Sequence, residues 1–354
     1  MRMLFEKKTL LGLDIGSQSI KMVDIEKVRG GYELKALGLG LIPAECIVDK
    51  DIMDSETVVD TVKNLKENLK IKARGTASAI SGHSVIVKKA ELPIMNESEL
   101  QETLMIEAEQ YIPFDINDVY LDSFVLGESL ERSDMMEVLF VAAKKELVDD
   151  YASAVRNAGL KPMLMDIDVF ALETMYEVNY PDAPESIVAL VDAGASMINI
   201  NILKDGMSIF ARDISMGGRQ LTERIQREFG VSYERAENIK TGSDIEGIDL
   251  ERINYIFKMA AETYVQEIRR TLDFFLSTMV NENIERIYMS GGSSRIPGLI
   301  PLLRKQMDIP VEMINAFNNI HWDDKVFDPE YMAYIAPQMA VAVGLALRRA
   351  DLKW

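Results

Sequence analysis

Cysteine is nearly missing from this chain. Its 354 residues include one, Cys46, and only two histidines, His83 and His321. A lone cysteine excludes a disulfide framework and suits a reducing compartment. Three such side chains are too few to build a structural zinc site or a Cys–His hydrolase centre. Positive charge is also short: 39 Lys and Arg face 57 Asp and Glu, for a net charge of −18. So acidic a surface repels phosphate backbones, and nucleic acid is not expected as a partner. It is likewise held off an anionic membrane unless a basic patch or a protein anchor intervenes. No apolar run approaches the roughly 20 residues of a membrane span. The start, MRMLFEKKTLLG, offers no stretch long enough for a signal peptide. The expected location is the cytoplasm.

What the chain does have is size and apolar content. With 48% hydrophobic residues it can fill more than one core, so two or more domains are expected. The 21 methionines read as core filler.

The pattern of elements repeats. LLGLDIG, IKMVDIEKV and YELKALGLGLI read as three strands, the last two joined by a turn at Arg29-Gly30-Gly31. A helix follows, with Val58, Val62, Leu65 and Leu69 on one face, and then the strand GTASAISG. From Ile187 the order returns: IVALVDAGA, MININILK, a turn at Asp205-Gly206, MSIFARDISM, the helix GGRQLTERIQREFG and the later strand IERIYMSGG. Asp14-Ile15-Gly16 in the first half answers Asp192-Ala193-Gly194 in the second. One D-x-G turn is ordinary turn chemistry. Two at the same place in a repeated βββαβ unit indicate duplication.

Each half carries an insertion. Residues 84–165 read as βαββαβ: SVIVKKAELP, a helix opened by Asn96 with Leu100, Leu104, Ala108 and Tyr111 on one face, DVYLDSFVL, MEVLFVAAK, ELVDDYASAVRNAGL and KPMLMDID. Residues 220–284 read as mostly helical, with Ile253, Ile256, Phe257, Ala260, Tyr264, Ile268, Leu272 and Phe275 at helical spacing.

Two duplicated halves facing each other would set both D-x-G turns at the mouth of one cleft. Backbone N–H groups in the Gly16-Ser17-Gln18-Ser19 turn suit an anion, and serine hydroxyls add donors. Carboxylates at Asp14 and Asp192 would repel phosphate unless a hydrated Mg²⁺ lies between, since Mg²⁺ keeps its waters and takes few protein oxygens. Lys21, on the next strand, is a candidate for the terminal phosphates. In the second turn Gly194, Ala195 and Ser196 take the same place, with Ala195 offering one donor fewer. YMSGGSSRIPGL brings Gly291, Gly292 and Ser293 to a strand-to-helix turn where a flat base or ribose can approach the backbone, with Ile296 beside it. The alternatives are a plain hairpin turn at the first two sites and an ordinary strand-to-helix turn at the third.

LGLDIGSQSIK, IVALVDAGAS and IYMSGGSSRIPGL resemble, in that order, the phosphate-1, phosphate-2 and adenosine motifs of the actin-like ATPase superfamily. GGRQLT (217–222) and AENIK (236–240) are similar to further nucleotide-proximal segments of that group. They imply Gly218, Arg219, Glu237 and Lys240 as contacts, the last two toward ribose and base, against the alternative of a solvated helix face. DVFALETMY and PQMAVAVGLALR resemble the two helices that cross at its hinge. The absence of G-x-x-x-x-G-K-[ST] sets the chain apart from P-loop proteins. The fold implied is α/β: a duplicated actin-like (RNase H-like) ATPase fold, two lobes with an inserted α+β subdomain. Its expected parts are 1–83, completed by 166–186 and 335–354; the insert 84–165; 187–219, completed by 285–334; and the helical insertion 220–284.

The insert's place, between GTASAISG and the hinge helix, is similar to that in the cell-division protein FtsA and, closer still, in the PilM family of type IV pilus assembly proteins. DIGSQSIK, ELP before a Glu-rich helix, EAEQYIPF and AGLKPMLMDIDVFAL look like PilM. FtsA usually ends in a linker and an amphipathic helix, whereas ALRRADLKW here follows the hinge segment directly, and that segment, rich in Ala, Val and Gly, reads as core rather than as an anchor. The resemblance implies ATP and Mg²⁺ as cofactors and weak ATPase activity at most. It implies a scaffold docked at the inner membrane by the N-terminal tail of PilN, in a groove between the first subdomain and the insert. Through PilN it would reach PilO, with pilus ATPases and self-association as further partner candidates. In related proteins the residue that positions water comes from the start of the hinge helix, which here is Asp168, with Asp166 nearby; a helix N-cap is the alternative. His83 and His321-Trp322 are expected in surface loops, and Cys46 half-buried and inert. Other readings are an FtsA-like division filament scaffold and a sugar- or acetate-kinase-type phosphotransferase.

Overall fold

The structure, a computed structural model, describes residues 10–72, 74–129, 132–181, 183, 185–278 and 282–349. The first meander is β1 (Leu11–Ile15), β2 (Ser19–Val28) and β3 (Gly31–Leu41). A short hairpin follows, β4 (Ile47–Val48) and β5 (Asp51–Ile52), then helix α1 (Ser55–Asn68) and β6 (Gly75–Ile80). The Asp54 side chain accepts from the Thr57 amide at 3.0 Å and starts α1, which buries Val58, Val59, Val62 and Leu65 on the sheet. Next come β7 (Val85–Pro93), α2 (Glu97–Glu109), β8 (Val119–Glu128), β9 (Met135–Lys144), α3 (Lys145–Asn157), β10 (Lys161–Ile167) and α4 (Asp168–Asn179).

The second half repeats the meander with β11 (Ile187–Ala193), β12 (Ile198–Lys204) and β13 (Met207–Ile214). It continues through α5 (Gly218–Phe229), α6 (Tyr233–Thr241), α7 (Leu250–Thr278), β14 (Arg286–Ser290), α8 (Leu299–Met307), β15 (Val311–Met313), β16 (Ile320–His321), α9 (Pro329–Ile335) and α10 (Ala340–Leu347). Among the described residues one sheet runs β10-β6-β1-β2-β3-β16 and another β13-β12-β11-β14-β15. In both, two antiparallel pairings are followed by a parallel one, β1 with β6 and β11 with β14. The duplicated unit is therefore present in strand order and in pairing sense.

Two differences from the sequence reading concern the insert. β10 pairs in parallel with β6, and α3 packs on α1 in the first lobe's core through Leu147, Tyr151 and Val155. The separate unit is thus only β7–β9 with α2, an antiparallel sheet of order β7-β9-β8 over its own core of Leu92, Leu104, Val138 and Phe140. The βαββαβ order is real, but its last two elements belong to the lobe. The second insertion has no core apart: α5–α7 bury their apolar faces on the five-stranded sheet.

His321 lies in β16, paired with β3 of the first lobe, rather than in a loop of the second half. Cys46 is fully buried, not half-buried, and burial pushes its thiol pKa up. His83 is exposed and meets Ser215 Oγ at 2.7 Å.

Helices α4 and α10 fill the space between the two sheets. Every residue of α10 is buried, as befits a helix apolar on all sides. Contrary to the sequence reading, one stretch, Pro329–Leu347, is long and apolar enough by length and composition to cross a membrane, but most of it is buried in this packing. Asp166 closes the far side of the crossing through Arg348 Nε at 2.7 Å, away from the cleft.

Candidate functional site

The β1–β2 and β11–β12 turns are built alike. Gly16 N donates to Ser19 O at 3.1 Å, and Gly194 N donates to Met197 O at 2.9 Å. A Cβ would stand 3.0 Å from Ser19 O at the first position and 3.1 Å from Met197 O at the second, so closeness selects glycine at both. The two turns face each other across the lobes, and Ser17 Oγ meets Ser196 Oγ at 2.7 Å. Strand register sets the charges: Asp14 is paired with Lys21, and Lys21 Nζ reaches Asp14 Oδ2 at 2.7 Å. Asp192 pairs with Ser290, whose hydroxyl donates to its Oδ1 at 2.7 Å.

Between the turns opens a cleft of about 870 Å³. Among the candidates from the sequence, Asp14, Gly16, Ser17, Gln18, Ser19, Lys21, Asp168, Asp192, Gly194, Ala195, Ser196, Glu237, Lys240, Gly291, Gly292, Ser293 and Ile296 all line it. Gly218 and Arg219 do not. Gly218 lies under the second turn, donating to Gly194 O at 3.0 Å, and Ser293 Oγ shares that carbonyl at 2.7 Å. Arg219 points into the first lobe, where Nη2 donates to the carbonyls of Ala44, Ile47 and, at 3.4 Å, Ser17, and so ties α5 to the start of β4 and to the first glycine turn. Glu237 and Lys240 form an ion pair of 2.6 Å, with Thr222 donating to Glu237 and accepting from Lys240. Burial pulls Lys240 down, against the pull of Glu237.

Asp168 opens α4 without capping it, since Ile167 holds the N-cap position. Its Oδ2 accepts from Ser81 Oγ at 2.5 Å and pairs with Lys50 Nζ at 3.1 Å. Lys50 was not singled out in the sequence. It sits in the β4–β5 hairpin, where Asp49 and Lys50 both have left-handed φ, 50° and 76°. Aspartate tolerates that conformation and lysine does so at a cost, the one local oddity in VDKD that marks the position. Burial would lower the Lys50 pKa, but the nearby Asp168, Tyr151 and Asp14 raise it, so the ammonium is held. Arg295 was also missed; its guanidinium stacks on Tyr334, 4.2 Å from the ring centroid, and both residues line the cleft.

Three carboxylates, Asp14, Asp168 and Asp192, therefore share one end of the cleft with two ammonium groups. Burial pushes Asp192 up to about 6; the Ser290 hydroxyl and Lys21 pull the other way. A raised carboxyl favours the protonated folded state, so its contribution is favourable at low pH and is lost as pH rises from about 4 through 6. Asp192→Asn is accordingly expected to raise stability at pH 8 by about 2 kcal/mol and to change it little near pH 4. Chemical denaturation at the two pH values checks this; an equal effect at both would contradict it. Among the described residues no group of three or more His, Cys, Asp or Glu side chains could hold a metal ion directly. The donor set suits a cation that keeps its own water, bound beside anions that backbone amides and lysines hold.

A family model described as type IV pilus assembly protein PilM matches residues 12–350. Among solved structures, the PilM-PilN type IV pilus biogenesis complex is similar with a TM-score of 0.86 and 29% identity, over 98% of this chain and 99% of that one. MreB5 of Spiroplasma citri bound to ADP shares the fold, with a TM-score of 0.50 and 14% identity over 93% of this chain and 98% of that one. The cell division protein FtsA of Bacillus subtilis (strain 168) is 22% identical over 95% of this chain and 82% of its own length.

Proposed function

The chain belongs to the type IV pilus assembly protein PilM family, and from that premise we propose that it is an actin-like scaffold that binds ATP with Mg²⁺ between its lobes and docks to the tail of PilN. The observation that carries the nucleotide half is the pair of glycine turns, at Gly16 and Gly194, closed by the same backbone hydrogen bond and brought face to face with an aspartate behind each. Ser17, Ser19, Ser196 and the turn amides hold the phosphates, with Lys21 and Lys50 for terminal charge. Asp14 and Asp192 hold the metal through water; a hydrated Mg²⁺ supplies positive charge between these carboxylates and the phosphates. Glu237 and Lys240 face the ribose, and Gly291-Gly292 with Ile296 form the floor for the base. The fold shared with MreB5, whose structure was solved bound to ADP, supports a purine nucleotide here. Asp168, held by Ser81 and Lys50, is the candidate to orient water, and turnover is weak at most.

The partner half rests on the similarity to a PilM that forms a complex with PilN. An extended tail suits a groove between the first lobe and the β7–β9 unit, the mode by which an extended peptide is captured through its backbone. Such docking holds an acidic protein at the inner face of the membrane and brings PilO, a PilN partner, within reach. Nucleotide state sets the affinity for the tail. Isothermal titration tests both halves: ATP·Mg²⁺ is expected to bind with a micromolar Kd, and a PilN tail peptide to bind with an affinity that ATP changes. No heat with ATP·Mg²⁺ removes the nucleotide half, and no heat with the peptide removes the docking half.

A further inference from the structure

Lys50 touches more than the cleft. Its Nζ lies at the phosphate end, on Asp168 at 3.1 Å, and its side chain is 14% exposed. Its backbone carbonyl accepts a hydrogen bond of 2.9 Å from the Tyr151 hydroxyl, on α3. Tyr151 is fully buried, so its hydroxyl cannot exchange that partner for water. Helix α3 begins at Lys145, directly after β9 ends at Lys144, with no loop between them. This is the exit from the inserted subdomain.

The entry passes the same lysine. The chain leaves β6 for β7 through Ser81 and Gly82, and Ser81 Oγ shares the Asp168 oxygen that holds Lys50. Gly82 has a φ of +96°, and a methyl there would meet Lys50 Cγ at 3.2 Å. Both chain connections of the β7–β9 unit therefore pack on one residue whose charged end faces the cleft.

We propose that Lys50 reads the terminal phosphate of the bound nucleotide and passes its presence to the inserted subdomain through Tyr151 and the Ser81-Gly82 link. This rests on the nucleotide reading above. The two states are defined by the partner of Nζ. Without a terminal phosphate it stays on Asp168. With one, the ammonium has a competing anion, and a shift of Nζ moves a hairpin already held in left-handed backbone conformation. The Tyr151 hydroxyl follows the Lys50 carbonyl, because breaking that bond would leave a buried hydroxyl without a partner, away from water. Helix α3 and β9 then turn as one piece, and the insert changes its pose on the first lobe. A two-state element biased from one site and read at another is what coupling requires.

Three measurements on the full chain test this: titration of ATP·Mg²⁺ and ADP·Mg²⁺, hydrogen exchange of the amides of 85–144 with each, and titration of the PilN tail peptide. In Lys50→Met the preference for ATP over ADP is expected to fall by about tenfold, the worth of one charge-assisted hydrogen bond, with ADP affinity within about twofold of wild type. A mere folding defect would weaken both nucleotides alike. In Tyr151→Phe the ATP preference is expected to persist, while the exchange difference between ATP and ADP in 85–144, and the difference in peptide affinity, shrink, with only the Ser81-Gly82 link left to carry them. Lys50→Met with the wild-type ATP preference overturns the proposal, as does Tyr151→Phe with the wild-type exchange difference. If wild type binds neither nucleotide, the nucleotide reading itself has failed; if it binds both and only the variants behave as wild type, that reading stands and this one does not.

Discussion

Gly344→Ala is expected to lower stability by about 4 kcal/mol or more, the range of severe core overpacking. A Cβ at that position would stand 1.8 Å from the carbonyl oxygen of Ala171 and 2.5 Å from its carbon, both backbone atoms that no rotamer change can move. Helices α4 and α10 cross there, and α10 is gripped from its other side at Gly12 of β1, where a Cβ would lie 2.1 Å from Ala342 O. Neither helix can retreat, because every residue of α10 is buried and α4 buries Val169, Ala171, Leu172 and Met175 against the sheets. Gly292→Ala is the matched control: its Cβ would come no closer than 3.9 Å to Gln338, and an effect under about 1 kcal/mol is expected. Thermal and urea unfolding of both variants check the contrast. A Gly344→Ala protein that melts with wild type would mean the crossing is looser than its packing implies.

Asp14→Asn is expected to weaken ATP·Mg²⁺ by about 100-fold, the upper end for a group that holds a metal through its water. The same change is expected to leave metal-free ATP binding unchanged or stronger. The reason is the sign of the charge: Asp14 attracts a hydrated cation but repels phosphate, and its removal frees Lys21, now 2.7 Å from Asp14 Oδ2, for the anion. Titrations with Mg²⁺ and with a chelator separate the two effects. If both affinities fall together, Asp14 serves the architecture of the turn and not a metal.

Much of this cleft was legible from sequence because its chemistry is local. A D-x-G turn declares both its glycine and its carboxylate within three residues, and two of them in equivalent strands located both jaws. The Gly291-Gly292 turn was legible for the same reason. Lys50 was not, because its role comes from a hairpin that folds back over the start of α4, more than a hundred residues away in sequence. Arg219 was read toward the nucleotide, yet the backbone carbonyls of Ser17, Ala44 and Ile47 capture it; carbonyls carry no sequence signature. The same limit explains the insert's boundary. Hydrophobic alternation marks KPMLMDI as a strand but says nothing of which sheet will pair with it, and its partner proved to be β6. Cys46 illustrates the converse: a single polar-looking residue in a loop became core because α1 and the β4–β5 hairpin close over it.

The placement of α10 has a consequence for how the protein comes to be made. The six-stranded sheet starts at Leu11, but the helix that covers β1, and on whose backbone Gly12 fits, is translated about 330 residues later. During synthesis the first lobe stands with an open apolar face while the insert and the whole second meander emerge. The lobes are neighbours in space without being successive in time. Folding from the N-terminus as a finished unit, the usual course for a multidomain chain on the ribosome, is closed to this lobe. The β7–β9 unit, whose core is drawn wholly from residues 90–142, has no such wait. It is the part of the molecule equipped to fold first, and the hinge, which both lobes need, is the part that forms last.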